Sequence, residues 1–435
     1  MTLSAPPLVT RAVYIYYLHI LTFVCKNNIF FFFILLFVSI ICLNHVFFIF
    51  LHQNITNMKK IVYVVGGLYS LTGMNSILTK KINWLAEHTD YELHMILTER
   101  ADLPWAFDMS PKVKWVNFNI NFDELDIMPL HKKLIKYAIK QRRYKKMFSK
   151  YLMSIRPDIT VSALRREINF INNIHDGSKK VGEIHFIRSF YRNFHKSYLP
   201  NSVNAFISKF WMDSLIQKIK KLERFITLTE EDYNNWPELT NKTVIPNFVP
   251  DYQGKPANLT SNTAIAVGRY SWEKGFDLLI ESWELVARKH PDWILNIYGV
   301  GNYQLFQDMA NRKGLENIVF CHQSTRDIYK KYQESSIFIL SSRHEGFGLV
   351  LLEAMSVGLP PVAFACPSGP RDIVTDKVDG ILAENENVQE LADGICYVIE
   401  HPDKRKEYGR RAILKAQQFP QDKIMQKWVD LFENL

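Results

Sequence analysis

The chain has 435 residues, 47% of them hydrophobic, with 53 Lys and Arg against 44 Asp and Glu, a formal net charge of +9. That length and apolar share are enough for two sizeable cores, and the basic balance points to anionic partners such as nucleotide phosphates or lipid. With no zinc-finger spacing and no RNP-type segment, nucleic acid is excluded as a partner; five scattered cysteines exclude a disulfide framework and read as reduced thiols.

Residues 1–57 stand apart. They hold only Arg11 and Lys26 and no acid, which leaves +7 on the remainder. Residues 29–51 are uncharged for 23 positions and crowded with Phe, Ile and Leu, long enough to span a bilayer. If they span, the Lys59-Lys60 side and the basic body behind it lie in the cytoplasm.

From Met58 the pattern becomes that of an α/β protein. Residues 61–65 read as a buried strand ending in Gly66-Gly67, followed by Gly73 and an amphipathic helix over 74–87. Further strands are expected at 93–97 and 113–118. Residues 131–151 carry nine Lys and Arg and no acid, with an apolar stripe of Leu134, Ile135, Ala138, Ile139 and Met147. A basic amphipathic helix of this kind suits docking on an anionic membrane surface. A strand is expected at 158–161, before Arg165 and Arg166, and another at 182–186 with His185 leaving its end. Arg188 and Arg192 follow it and are candidates for an acceptor phosphate. A helix over 206–224 and a last strand at 225–229 complete the first half.

The second half opens with an expected strand at Val244 running into the proline-marked segment 246–250. A strand over 263–267 leads into Gly268-Arg269 and Lys274-Gly275, then a helix over 276–288. Two cations on such a loop suit a diphosphate, the guanidinium gripping two oxygens and the ammonium acting as a point charge. Strands at 295–298 and 318–321 follow, with His322 and Gln323 expected on the loop behind the second. The densest stretch is 337–365: strand, Glu345-Gly-Phe-Gly348, a helix over 349–357 stopped by Gly358 and Pro360, and a second strand. Gly346 and Gly348 let backbone approach a ligand, and the helix N-terminus at Leu349 offers unpaired amides to phosphate. Glu345 and Glu353 would lie about 12 Å apart if all eight steps were helical, and each can accept hydroxyls. That is the reach of a ligand with polar ends and an anionic middle, such as a nucleotide sugar. Residues 368–371 and 379–380 read as turns, and the final helix, 422–435, carries Trp428, Leu431 and Phe432 on one stripe.

Glu345, seven residues and Glu353, inside EGFGLVLLEAMSVGLPPV, resembles the signature of the retaining glycosyltransferases of family 4 (group 1), which have the GT-B fold. The resemblance extends from Met58 to Leu435 and is densest from Val244 onward. It implies two Rossmann-like domains facing a cleft: 58–243 with the terminal helix 420–435, and 244–419 for the nucleotide sugar. It implies transfer of a hexose or N-acetylhexosamine from a nucleotide diphosphate sugar, UDP expected, to a lipid-linked glycan acceptor. Configuration would be retained, in cell-surface polysaccharide synthesis such as capsule or lipopolysaccharide at the cytoplasmic face of the inner membrane. Arg269 and Lys274 would meet the diphosphate, Glu345 the transferred sugar, Glu353 the ribose, and His185 the sugar from the other domain. Gly268, Gly346, Phe347, Gly348 and Leu349 would border the donor. Gly73 would face its phosphates, and His322 or Gln323 its base. No cofactor and no metal are expected, since no Asp-X-Asp triplet occurs. Met58-Lys-Lys-Ile resembles the natural start of such a chain, so residues 1–57 read either as an anchor or as a mis-assigned start. The rival readings are a GT-B nucleotide-sugar epimerase and a non-catalytic, membrane-anchored binder of nucleotide sugar.

Overall fold

The computed structural model describes residues 58–126, 128–188, 201–249 and 252–435. The expected extension 1–57 with its span 29–51, the candidate Arg192, and Pro250 lie outside the described residues.

The first sheet is built from β1 (Lys60–Val65), β2 (Glu92–Leu97), β3 (Lys114–Asn117), β4 (Ile159–Ser162), β5 (Lys179–Glu183), β6 (Arg224–Thr227) and β7 (Lys242–Val244). Between them run α1 (Gly73–His88), α2 (Leu130–Ile155), α3 (Asn201–Ile219) and α4 (Glu230–Asn234). All pairings are parallel, in the order β3-β2-β1-β4-β5-β6-β7. Period-two alternation sends Ile61, Tyr63 and Val65 into one core and Val62 and Val64 into the core on the opposite face. Burial on both faces explains why these strands read as continuous apolar runs.

The second sheet holds β8 (Thr263–Val267), β9 (Ile294–Gly299), β10 (Val319–Gln323), β11 (Ile337–Leu340), β12 (Pro361–Phe364) and β13 (Ile381–Ala383), ordered β10-β9-β8-β11-β12-β13 and again parallel. Its helices are α5 (Phe276–Lys289), α6 (Tyr303–Arg312), α7 (Ile328–Gln333), α8 (Leu349–Ser356), α9 (Gly369–Ile373), α10 (Val388–Glu400) and α11 (Pro402–Ala416). The last helix, α12 (Gln421–Glu433), leaves this half. Its Ile424, Met425, Trp428 and Phe432 are buried in the core of the first sheet. Burying each such side chain contributes about 1.5–3 kcal/mol. Trp84 Nε1 donates to Asp422 at 2.7 Å, and Lys59 pairs with Glu433 at 3.0 Å, so both ends of the helix are tied to the first half.

Four expectations are corrected. The strand expected at Val244 is β7, which pairs with β6 and closes the first sheet, so 225–229 is not that sheet's last strand. Strand β5 ends at Glu183, two residues before His185. Residues 369–373, read as a turn, form the short helix α9. The long helix expected over 206–224 ends at Ile219, because Lys220–Glu223 must turn to deliver β6. The described cysteines, Cys321, Cys366 and Cys396, are buried and unpaired. No helix among the described residues is long and apolar enough to cross a membrane.

Candidate active site

In each sheet the strand order reverses once, between β1 and β4 and between β8 and β11. Crevices at such reversals, beyond the carboxyl ends of the strands, are where open α/β sheets bind ligands. Here the two reversals face each other across one cleft of about 1040 Å³. Its walls come chiefly from the loops after β1, β4, β8 and β11, with contributions from the segments after β2, β3, β5, β6, β7, β9 and β10.

The second-sheet wall brings the motif residues together. Lys274 Nζ donates to Glu345 Oε1 at 2.5 Å, and Ser342 Oγ donates to the same oxygen at 2.6 Å. The Lys274 stem lies on Gly268, where an added Cβ would meet Cγ and Cδ at 3.2 Å. Gly275 has φ +59°, and its missing Cβ would sit 2.1 Å from the Ser341 carbonyl, so only glycine fits behind Lys274. Arg269 is exposed and lines the cleft beside Lys274. Glu345 is locked from behind: its N–H donates to the Pro367 carbonyl at 2.8 Å, and the Ser368 N–H donates to the Glu345 carbonyl at 3.0 Å. Arg343 braces the same loop through Asp277, at 2.6 and 2.8 Å, and through Glu386.

Gly348 caps α8 in a left-handed conformation, φ +89°, and Leu349 and Val350, whose N–H groups have no partner within the helix, line the cleft. Across the cleft Gly73 opens α1, and a Cβ there would stand 3.7 Å from the Leu349 side chain. Leu349 itself is buried in the core of the first sheet, so its side chain joins the two halves while its amide belongs to the site. The Phe347 ring packs edge-on against Phe419 at 5.8 Å, which leaves the backbone of Phe347 to border a ligand. Glu353 is 9% exposed and lines the cleft. Among the described residues its carboxylate makes no hydrogen bond or ion pair. Burial pushes its pKa up, with Lys80 opposing.

His322 and Gln323 are corrected. Both belong to β10 rather than to a loop, and neither lines the cleft. The His322 ring stacks on Tyr298 at 4.5 Å and bonds to Asn296 Oδ1 at 2.9 Å. Ser324, Thr325 and Arg326, immediately behind, reach the cleft instead.

The first-sheet wall carries His185 together with groups the motifs did not mark. His185 Nε2 lies 3.3 Å from Glu183 Oε1, and the His185 carbonyl comes within 3.0 Å of the place a Gly346 Cβ would occupy. Glu99, Asp123 and Arg165 also line the cleft. Burial and the neighbouring Asp123 raise the Glu99 pKa to about 7, against the Asp123 N–H, Thr98 and Arg165. The only advance signal for these three was position, each falling within five residues of an expected strand end. Arg188 pairs with Glu238 at 2.6 Å on α4's flank and does not line the cleft.

Residues 251–415 match the family model described as Glycosyl transferases group 1. The matched segment holds Arg269, Lys274, Glu345 and Glu353. An uncharacterized glycosyltransferase of Haemophilus influenzae is 34% identical over 212 residues, covering 47% of this chain and 60% of that protein. The poly(ribitol-phosphate) alpha-N-acetylglucosaminyltransferase of Staphylococcus aureus is 29% identical over 268 residues, covering 60% and 52%. The chain thus spans less than two thirds of the length of either relative. Among solved structures, sucrose-phosphate synthase from Thermosynechococcus elongatus superposes with a TM-score of 0.72 at 15% identity, covering 86% of this chain and 98% of that one. A variant of S. aureus TarM, solved with Fondaparinux, alpha-GlcNAc-glycerol and UDP, superposes at 0.69 with 20% identity, covering 86% and 100%. The fold is GT-B.

Proposed function

We propose that the chain is a retaining group 1 glycosyltransferase that moves a hexose or N-acetylhexosamine from a UDP-sugar to a lipid-linked glycan in cell-surface polysaccharide synthesis. The observation that carries this is the Lys274–Glu345 pair beside Arg269, set before the α8 N-terminus and opposite Gly73. As the bond from the sugar to the diphosphate breaks, negative charge grows on the leaving oxygen. Lys274, Arg269 and the α8 amides meet it, already oriented by Gly268, Gly275 and Ser342. Glu345 accepts hydroxyls of the transferred sugar, His185 contacts it from the other wall, and Glu353, whose carboxylate has no hydrogen-bond or ion-pair partner among the described residues, is left to accept the ribose hydroxyls. The relatives named as sugar transferases to poly(ribitol-phosphate) and poly(glycerol-phosphate), and the UDP in the TarM structure, support a cell-surface polymer as the acceptor class and a UDP-sugar as the donor. No residue is assigned a metal, and turnover is proposed to need none. A panel of UDP-sugars offered to the purified protein with membrane extract tests the reading. Sugar transferred with its α-configuration kept supports it, whereas release of an epimerised nucleotide sugar, or binding without product, overturns it.

We further place the protein at the cytoplasmic face of a membrane, docked through α2. Its buried stripe is Tyr144, Phe148 and Leu152, whereas Leu134, Ile135 and Ile139 face solvent among Lys132, Lys136, Arg142 and Arg143. Exposed apolar side chains amid cations are what an interfacial helix presents to anionic lipid. Helix α3, packed on the same face of the first sheet, adds Phe206 and Phe210, which are 73% and 63% exposed. Lys140 drops out of the expected basic face, because it turns inward to Glu124 and the Asn121 carbonyl.

A further inference from the structure

Behind His185 lies a charged group that neither the motif nor the proposed chemistry uses. Lys81, on α1, is ion-paired to Glu183, at the end of β5; their side chains are 2% and 1% exposed. Lys81 Nζ also stands 3.8 Å over the ring of Trp428, on α12. Glu183 Oε1, the oxygen that takes Lys81, is the one 3.3 Å from His185 Nε2. That nitrogen is fully buried and meets the carboxylate as a close charge contact without the alignment of a hydrogen bond, while the side chain keeps 7% exposure and the residue lines the cleft. Burial pushes the Glu183 carboxyl up, but Lys81 and His185 outweigh it and hold it ionised. Stability is a weak reason for such a pair, because apolar replacement of a buried ion pair is often neutral or stabilising.

We propose that Lys81 and Glu183 are positioning residues that fix the tautomer and orientation of His185, with the terminal helix, through Trp428, as part of the same support. An ionised carboxylate at Nε2 selects the tautomer protonated there and leaves Nδ1 as an acceptor for a donor hydroxyl. The proposal rests on His185 as the sugar contact, so the experiment reads the ring separately from turnover.

Two-bond 15N–1H spectra of the full chain labelled with 15N-histidine, with His185 assigned through His185→Gln, report which ring nitrogen carries the proton. The expected wild-type result is protonation at Nε2. Glu183→Met strands the Lys81 charge, so the Lys81→Met/Glu183→Met double variant, which removes both charges, is measured beside it. In the folded variants His185 should pass to a mixture of tautomers, and kcat for the UDP-sugar found in the panel should fall about 10- to 100-fold with little change in donor KM. Protonation at Nδ1 in the wild type, or an unaltered His185 tautomer in the double variant, overturns the relay. Full turnover by His185→Ala would instead remove the sugar contact, and the spectra would still decide the relay.

Discussion

The two walls of the cleft are built by the same sheet topology and differ in how their chemistry is held. On the second-sheet wall the working groups sit in two short loops, 268–275 and 341–349, and in the helices that follow them, α5 and α8, and their partners lie in the same two segments: Lys274 on Glu345, Ser342 on Glu345, Arg343 on Asp277. On the first-sheet wall each group comes from a different loop, and the contacts behind His185 run on to residues distant in sequence. Glu183 is held by Lys81, about a hundred residues earlier, and Lys81 lies against Trp428 near the end of the chain. On the proposed reading the second-sheet wall binds one invariant group, a nucleoside diphosphate, which a compact motif can encode, and the first-sheet wall, proposed to meet a particular acceptor, is assembled by the fold.

The comparison predicts unequal losses. Lys274→Ala should lower kcat about 100- to 1,000-fold, roughly 2.7–4 kcal/mol of transition-state stabilisation, with the melting temperature little changed. Steady-state rates with the panel donor measure this, and a near-wild-type rate would place the diphosphate elsewhere.

Glu353→Ala should act on the same wall more gently. Losing hydrogen bonds to a carboxylate costs about 1.5–3 kcal/mol, so donor KM should rise roughly tenfold or more while kcat holds. A fall in kcat with KM unchanged would move Glu353 from the ribose to the reacting sugar.

For the first half, binding to vesicles containing phosphatidylglycerol should weaken as salt rises. It should fall by about fivefold for each of Lys132, Lys136, Arg143 and Lys146 changed to Gln, about 1 kcal/mol apiece. Phe206→Ser with Phe210→Ser should weaken it further. A chain that ignores such vesicles at low salt refutes docking through α2.

Glu99 supplies a smaller, pH-resolved contrast. Its pKa is raised in the fold to about 7, above the ordinary carboxyl value, so the folded state holds its proton longer than the unfolded state. That contribution to stability is complete below the unfolded pKa and is lost as pH rises through the folded one. Glu99→Gln should therefore flatten the fall in melting temperature between about pH 5 and pH 8. An unchanged slope would show that Glu99 is ionised throughout. The smallest expected effect is that of EDTA, which should leave turnover where it was; loss restored by manganese would reverse the metal-free proposal.

The legible part of the site was the part whose geometry is local. Gly268, Lys274, Glu345, Gly348 and Glu353 lie in strand–loop–helix units, where glycine backbone freedom and a helix N-terminus define a phosphate seat within a few residues. His322 and Gln323 failed for the opposite reason: whether β10 ends at Cys321 or Gln323 depends on pairing with β9, which no local pattern shows. Val244 was drawn into the wrong half because a three-residue strand declares its sheet only through its partner, here β6.

The sequence by itself determined the alternation of strands and helices and the placement of the glycine loops, because period, capping and glycine placement are properties of neighbouring residues. Only the tertiary structure decided which face of α2 is buried, that α12 returns to the first sheet, and that Lys81, Glu183, His185 and Trp428 form one chain of contacts. Those are meetings of residues up to 347 positions apart, from Lys81 to Trp428, and burial in a shared core is what brings them together.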